Sequence, residues 1–242
     1  MTITPRFLAP LAMSLVLAAG SACADQKDSA VFDLTLKGIH SGTLSISGAI
    51  EGRSYAVSGV LKSGGLVALV RKVRYDARAH GTVSNRRFTP SRYEEDANTG
   101  KRQSQSVMDY KNGVPQVKVY NPPKSPRPGD VDPATQGGTV DPLTALYAAL
   151  RDVPEAEACN QKLVLFDGRR RSQVMLSDPK PAKGGVVCAG EYRRLEGFSA
   201  EEMAEKSRFP FTMAYAPIGD GRLRVTEISM DTIYGKGRLK RR

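Results

Sequence analysis

Val140-Asp141-Pro142-Leu143-Thr144-Ala145-Leu146-Tyr147-Ala148-Ala149-Leu150-Arg151 decides the fold, because it is the one stretch beyond the first two dozen residues with convincing helical spacing. Asp141 is a good N-cap and Pro142 suits the first helical position, where its missing N–H costs nothing. Leu143, Leu146, Tyr147 and Leu150 fall three and four apart, on the face expected to meet a sheet, and Arg151 complements the C-terminal dipole. The spacing predicts a helix over 141–151. Nearly everything around it alternates with the period of a strand. One apolar-faced helix among strands needs a concave sheet to bury it. The fold class expected is therefore mainly β, a highly curved antiparallel sheet or open β-barrel with this helix packed in or across it.

The strands are legible on both sides. Phe32, Leu34 and Leu36 alternate with polar residues, as do Leu44, Ile46 and Gly48, then Tyr55, Val57, Gly59 and Leu61. Gly38-Ile39-His40-Ser41-Gly42 and Glu51-Gly52-Arg53 supply turns. Gly64 to Val70 reads either as a helical turn plugging one end of the sheet or as the start of the strand through Val73 and Tyr75. Arg87 to Glu95, Lys101 to Tyr110 and Val114 to Tyr120 continue the series, the last two joined by Lys111-Asn112-Gly113. Arg92 to Asp96 and Lys101 to Gln105 carry opposite charges suited to cross-strand pairing on a wet face. Glu94, Glu95 and Asp96 do not read as a metal site, since adjacent strand residues point to opposite faces.

Pro122, Pro123, Pro126 and Pro128 mark 121–139 as an extended crossover. Beyond the helix, Lys162 to Phe166 and Arg171 to Leu176 flank Asp167-Gly168 as a hairpin. Gly185 to Leu195, Phe209 onward, Arg222 to Met230 and Thr232 to Leu239 bring the count to around a dozen strands. Ser199 to Ala204 has the capping-box pattern of a short helix. No repeat of fixed period is present.

Composition agrees with this reading. In 242 residues there are 38 Gly plus Pro, suiting a strand-and-turn chain, and the length fits one domain over 25–242. Arg6 followed by the apolar run Phe7 to Ala19 and the ending Ala22-Cys23-Ala24 fits a signal peptide over 1–24, so export, most simply to a periplasm, is expected. Gly20-Ser21-Ala22-Cys23 matches a lipoprotein cleavage site only faintly, with Gly20 where an aliphatic residue is usual. A lipid anchor on Cys23 therefore ranks behind cleavage after Ala24. That cleavage leaves Cys159 and Cys188 as a single pair, and an even count in an oxidising compartment reads as a disulfide. Closing a loop of about thirty residues contributes about 3–4 kcal/mol in the chain-entropy picture.

The motifs Asp141-Pro142-Leu143-Thr144-Ala145-Leu146-Tyr147, Phe166-Asp167-Gly168-Arg169-Arg170, Cys188-Ala189-Gly190-Glu191-Tyr192 with Gly197-Phe198, and Phe209-Pro210 resemble, in that order, a family of exported bacterial proteins known only as a domain of unknown function. The resemblance covers most of the chain after residue 24. It implies a periplasmic, largely β protein and carries no activity with it. More loosely, one helix against a curved antiparallel sheet resembles the half-barrels of periplasmic lipoprotein carriers.

Catalytic signatures are absent from the sequence. Ser177-Asp178-Pro179-Lys180 has Ser-x-x-Lys spacing, but that chemistry needs a helix start, and Asp-Pro after a strand reads as a turn. There is no Gly-x-Ser-x-Gly elbow, phosphate loop or His-rich zinc motif, and His40 and His80 have no cysteine in ligand spacing. No catalytic, cofactor-binding or metal residue is assigned, and no cofactor. Charge is the remaining signal. The formal net charge is +11, of which Arg6 is lost with the leader, leaving 11 − 1 = +10. Arg169, Arg170 and Arg171 cluster beside a turn, and Lys236, Arg238, Lys240, Arg241 and Arg242 make the C-terminus basic. They form a candidate anion-binding surface. An exported protein meets little nucleic acid, so anionic lipid, lipoprotein or peptidoglycan are the expected partners, with peripheral contact to an anionic membrane surface. The plain alternative is that the charge serves solubility. Three functions stay open: non-catalytic binding or envelope maintenance, with an acyl chain or hydrophobic peptide held between sheet and helix or an anionic envelope polymer held outside; a cell-wall hydrolase working through Asp and Glu; and a scaffold pairing with another envelope protein through a sheet edge. Whether helix and sheet enclose a cavity separates carrier from scaffold.

Overall fold

The computed structural model describes residues 25–123, 125–127 and 129–242. The expected signal peptide and Cys23 lie outside the described residues. Seven strands, β1 (Gln26–Leu36), β2 (Ile39–Glu51), β3 (Ser54–Ser63), β4 (Arg74–Ser84), β5 (Arg87–Asn98), β6 (Gln103–Lys111) and β7 (Val114–Asn121), form an antiparallel meander. The short α1 (Gly65–Val70) lies between β3 and β4, so the helical reading of that stretch is the one realised. The crossover leads to α2 (Pro142–Leu150) and the two-residue β8 (Val153–Pro154). A second meander follows, of β9 (Gln161–Phe166), β10 (Arg171–Ala182), β11 (Gly185–Glu196), β12 (Arg208–Gly219), β13 (Arg222–Thr232) and β14 (Gly235–Arg241), with α3 (Ala200–Glu205) between β11 and β12.

Antiparallel pairing of β1 with β14, Phe32 opposite Arg241, fuses the meanders into one sheet ordered β7-β6-β5-β4-β3-β2-β1-β14-β13-β12-β11-β10-β9, with β8 on β13. Its two edges, β7 and β9, are not paired with each other. The crossover spans the seam instead: Gly138 donates to the Gly113 carbonyl at the β6–β7 turn. Val140 donates to Val164 on β9 and accepts from Phe166, and Val131 donates to Arg169. The sheet is thus a barrel-like wrap left open along one seam. Because neighbouring strands alternate in direction, the β1–β2, β3–β4, β5–β6, β9–β10, β11–β12 and β13–β14 connections share one end, here termed the open end.

α2 fills the other end. The Asp141 carboxylate accepts from the Thr144 backbone N–H at 2.8 Å, Pro142 sits in the first turn, and the chain turns extended at Arg151. The single apolar face expected is corrected here. Leu143, Thr144, Ala145, Tyr147, Ala148, Ala149 and Leu150 are all buried, and Leu146 is the less enclosed of the predicted face. The sheet wraps the helix, and the three alanines let backbone approach on the sides a flat sheet would leave wet. Leu143 and Tyr147 sit on glycines: a Cβ on Gly59 would lie 2.7 Å from Leu143 Cδ1, and one on Gly48 2.5 Å from the Tyr147 ring. Phe88 meets both Tyr55 and Tyr147 edge to face. Arg151 serves as more than a dipole partner: its guanidinium pairs with Glu157 at 3.0 Å and lies over Phe88.

At the C-terminal end of α2, Asp28 on β1 accepts from the Tyr147 hydroxyl (2.8 Å), the Asp152 backbone N–H (3.0 Å) and the Gln26 amide. Asp152 in turn holds Arg224 of β13 through three contacts of 2.9, 3.2 and 2.6 Å. The Cys159–Cys188 disulfide joins the segment after α2 to β11, as the cysteine count predicts.

Two local readings change. Ser177-Asp178-Pro179-Lys180 is a bulge inside β10 and not a terminating turn, with Asp178 at φ 51° and the pairing to β11 shifting between Ser177 and Lys180. The β5 acids do not pair with Lys101 and Arg102. Those residues lie in the β5–β6 connection, and Arg92 instead takes Glu94 and Asp109. A Gly48→Ala substitution should cost about 1–3 kcal/mol, because the added methyl would lie 2.5 Å from the buried Tyr147 ring, which would have to shift. Urea denaturation with far-UV detection checks this, and an unchanged midpoint would show that the helix does not rest on that glycine.

Candidate functional site

The face of α2 toward β2 and β3 is packed, Tyr147 and Leu143 against Gly48 and Gly59, while a recess of about 330 Å³ remains beside Ala148 and Arg151, between Phe88 and Leu163. A cleft of about 700 Å³ lies beyond the helix N-terminus, between the inner face of β4–β6, the crossover and the β9–β10 turn. Tyr75, Tyr93, Glu95 and Ser106 come from the strands, Pro123, Ser125 and Arg127 from the crossover, Pro142 from the helix start, and Asp167, Arg169 and Arg170 from the turn, with Arg102 at the rim. Glu95 is the member of the acidic triplet that shares the inner face of Tyr93. The Tyr93 hydroxyl donates to Glu95 at 2.7 Å, and burial together with that carboxylate pushes the phenol well above its ordinary range.

The basic side of the cleft is built rather than loose. Arg169 donates to the Ser125 carbonyl at 2.7 Å, stands 3.6 Å from Asp130 and lies over the Tyr120 ring. Arg127 also takes Asp130, at 3.3 Å. Arg170 pairs with Glu202 of α3 at 2.9 Å and covers Phe198. Asp167 is occupied in forming the turn, accepting the backbone N–H groups of Arg169 and Arg170. Burial raises the Tyr120 phenol to about 12.

Behind Pro142 lies a polar knot with no water-facing member. Thr144 Oγ1 donates to Asp141 at 2.6 Å and meets the Tyr55 hydroxyl at 2.8 Å. Asp141 is fully buried, and desolvation pushes its carboxyl up to about 6 against the opposing hydrogen bonds from Thr144. The Tyr110 hydroxyl, raised by burial and by the Asp141 charge, is buried with no hydrogen-bond partner among the described residues. Among those residues no three His, Cys, Asp or Glu side chains gather as a metal site would require.

The eight basic residues singled out in the sequence are not one patch. Arg169, Arg170 and Arg171 stand at the β9–β10 turn, Arg171 reaching Gln136. Lys236, Arg238, Lys240 and Arg241 lie in β14, which is a central strand flanked by β1 and β13, with three strands between it and β10. Arg242 pairs with Asp33 at 2.8 Å and holds that carboxyl below its ordinary value. Arg238 pairs with Glu227. Arg241 turns inward over Phe32 and donates to the Ser29 carbonyl, and burial lowers its pKa. The basic C-terminus is thus largely structural. Sequence reading missed Tyr75, Tyr93, Arg102 and Arg127 as cleft residues, and of these only Tyr93 carried a signal, as an aromatic in phase with the inner face of β5.

The fold is that of a barrel-like β-protein with an internal helix. Residues 31–178, more than half of the chain, match the family described as a protein of unknown function (DUF3108), and the chain belongs to that family. Among solved structures, a beta-barrel-like protein of the domain of unknown function DUF1849 from Brucella abortus aligns with a TM-score of 0.51 and 13% identity. The alignment covers 88% of this chain and 95% of that one, a likeness of fold. No curated protein matches. The disulfide points to an oxidising compartment, and no helix among the described residues is long and apolar enough to cross a membrane.

Asp141 gives a pH test. A carboxyl whose folded pKa is raised favours the protonated native state, so its contribution is fully present below about pH 4 and is lost as pH rises through about 6. Asp141→Asn keeps the cap and removes the titration. The variant should match the wild type near pH 4 and exceed it by about 2–3 kcal/mol at pH 7 in urea titrations. Parallel stability profiles across that range would show that Asp141 does not titrate in the native protein.

Proposed function

We propose that this is an exported, periplasmic, non-catalytic binding protein of the cell envelope, and that its ligand carries phosphate or carboxylate groups received at the arginine-lined cleft. The observation that carries this reading is the convergence of Arg102, Arg127, Arg169 and Arg170 with Tyr75 and Tyr93 on one cleft, with Arg169 pre-oriented by Ser125 and Asp130. Guanidinium groups held in fixed geometry match phosphate and carboxylate oxygens, and the tyrosines offer flat apolar surface to whatever bears the charge. Lipid headgroups and peptidoglycan fragments both have this chemistry. The signal-like leader and the disulfide support the periplasmic placement.

A second reading keeps one specific support. Glu95 and Asp167 line the same cleft, the arrangement a carboxylate-dependent hydrolase uses. Against it, Asp167 is engaged by two backbone N–H groups.

Native mass spectrometry of protein purified from the periplasm should show a co-purified anionic lipid or peptidoglycan fragment, depleted at least fivefold in Arg102→Ala/Arg127→Ala. Protein free of any bound species, which also fails to retain anionic lipid or muropeptide added afterwards, would overturn the reading. Turnover of muropeptides abolished by Glu95→Gln would favour the hydrolase.

A further inference from the structure

We propose that the α1 side of the open end docks on the surface of an anionic phospholipid bilayer. Nine large apolar side chains are exposed among the described residues, and six of them stand on this one rim: Ile39 (52% exposed), Val67 (37%), Leu69 (82%), Val70 (91%), Ile233 (38%) and Tyr234 (68%). The rim is continuous. Lys37 of the β1–β2 turn donates to the Lys236 carbonyl at 2.8 Å, and its side chain lies against Gly235. His40 lies against Gly64 and Gly65 at the start of α1, and Arg71 reaches from the end of α1 to the Thr99 carbonyl at 2.9 Å.

Charge identifies what covers it. Segments 37–40, 64–72, 99–102 and 233–236 contain Lys37, Arg71, Lys72, Lys101, Arg102 and Lys236 and no aspartate or glutamate. On the opposite side of the same end, α3 contributes Glu201, Glu202 and Glu205. Projecting Leu69 and Val70, a tyrosine at the edge and a ring of lysines and arginines are the combination that partitions into the interface of an anionic bilayer, apolar tips among the acyl chains and cations among the phosphates. A protein partner would be expected to leave some acidic residues for its own cations, and a soluble rim would not project leucine and valine at more than four-fifths exposure.

The docking is separable from the cleft's occupancy, although Arg102 belongs to both: it concerns the outer tips of the rim and predicts vesicle binding whether or not the cleft holds a ligand. The chain has no tryptophan, so a single one reports on its own position. Full-length mature Leu69→Trp should show a blue-shifted emission with vesicles of phosphatidylglycerol and phosphatidylcholine, and quenching when the acyl chains are brominated. Neither should occur with phosphatidylcholine alone, nor for Met175→Trp, placed on β10 away from the rim. Lys72→Glu/Lys101→Glu should weaken co-sedimentation with the anionic vesicles about tenfold or more, since each cation at such a surface contributes measurably. Val70→Glu should do likewise, both variants keeping the far-UV spectrum of the wild type. Absence of vesicle binding by the wild type, equal quenching at residues 69 and 175, or binding indifferent to these substitutions would overturn the proposal. A rim found to pair two copies of the chain in place of vesicles would do so as well.

Discussion

The hydrogen bond from Tyr147 to Asp28 ties the internal helix to the first strand, and most of the architecture depends on it. Asp28 accepts three donors from three places: the helix face, the backbone just past the helix, and its own strand neighbour Gln26. Asp152, one link further, carries the connection to β13 through Arg224, while its carbonyl takes Gln26 and Arg222. Two carboxylates placed inside a β-wrap are costly unless each lone pair is used, and here they are used by groups from both meanders. The network therefore ties the first strand, the helix and β13 together, beside the direct β1–β14 pairing.

A fixed helix determines where empty space can be. Tyr147 and Leu143 occupy the hollows over Gly48 and Gly59, and the polar knot of Asp141, Thr144 and Tyr55 seals the helix start. A cleft of about 700 Å³ lies beyond it, under Pro142. There the crossover, itself needed to span the seam, brings Arg127 and Ser125 to the arginines of the β9–β10 turn. The helix is thus packed on Gly48 and Gly59, and the arginine-lined cleft lies beyond its N-terminus. The rim proposed to meet a bilayer borders that cleft at Arg102.

How much of this was legible in the sequence follows from the range of the forces involved. The helix and its limits rest on Asp141, Pro142 and a 3.6-residue spacing, all local, and the strands rest on a period of two. The disulfide rests on a count. What could not be read are contacts across more than a hundred residues, such as Asp28 with Asp152, and the β1–β14 pairing that makes a basic C-terminus a central strand. Gly48 and Gly59 were visible in phase with apolar neighbours, and a glycine at an inward strand position does signal a close approach, but not by what. Glu95 was masked by its acidic neighbours: the rule that adjacent strand residues face opposite ways, applied to dismiss a metal site, also places the middle acid inside.

The central claim is that α2, anchored at both ends, opens only when the whole sheet does. Native-state hydrogen exchange on the protein tests it most directly. The account predicts that amides of Ala145 to Leu150 exchange with the same free energy as the slowest amides of β2, β3 and β13, while those of α1 exchange far sooner. Helix amides exchanging well ahead of those strands would contradict it, and would make α2 a mobile plug instead of the element on which the wrap is built.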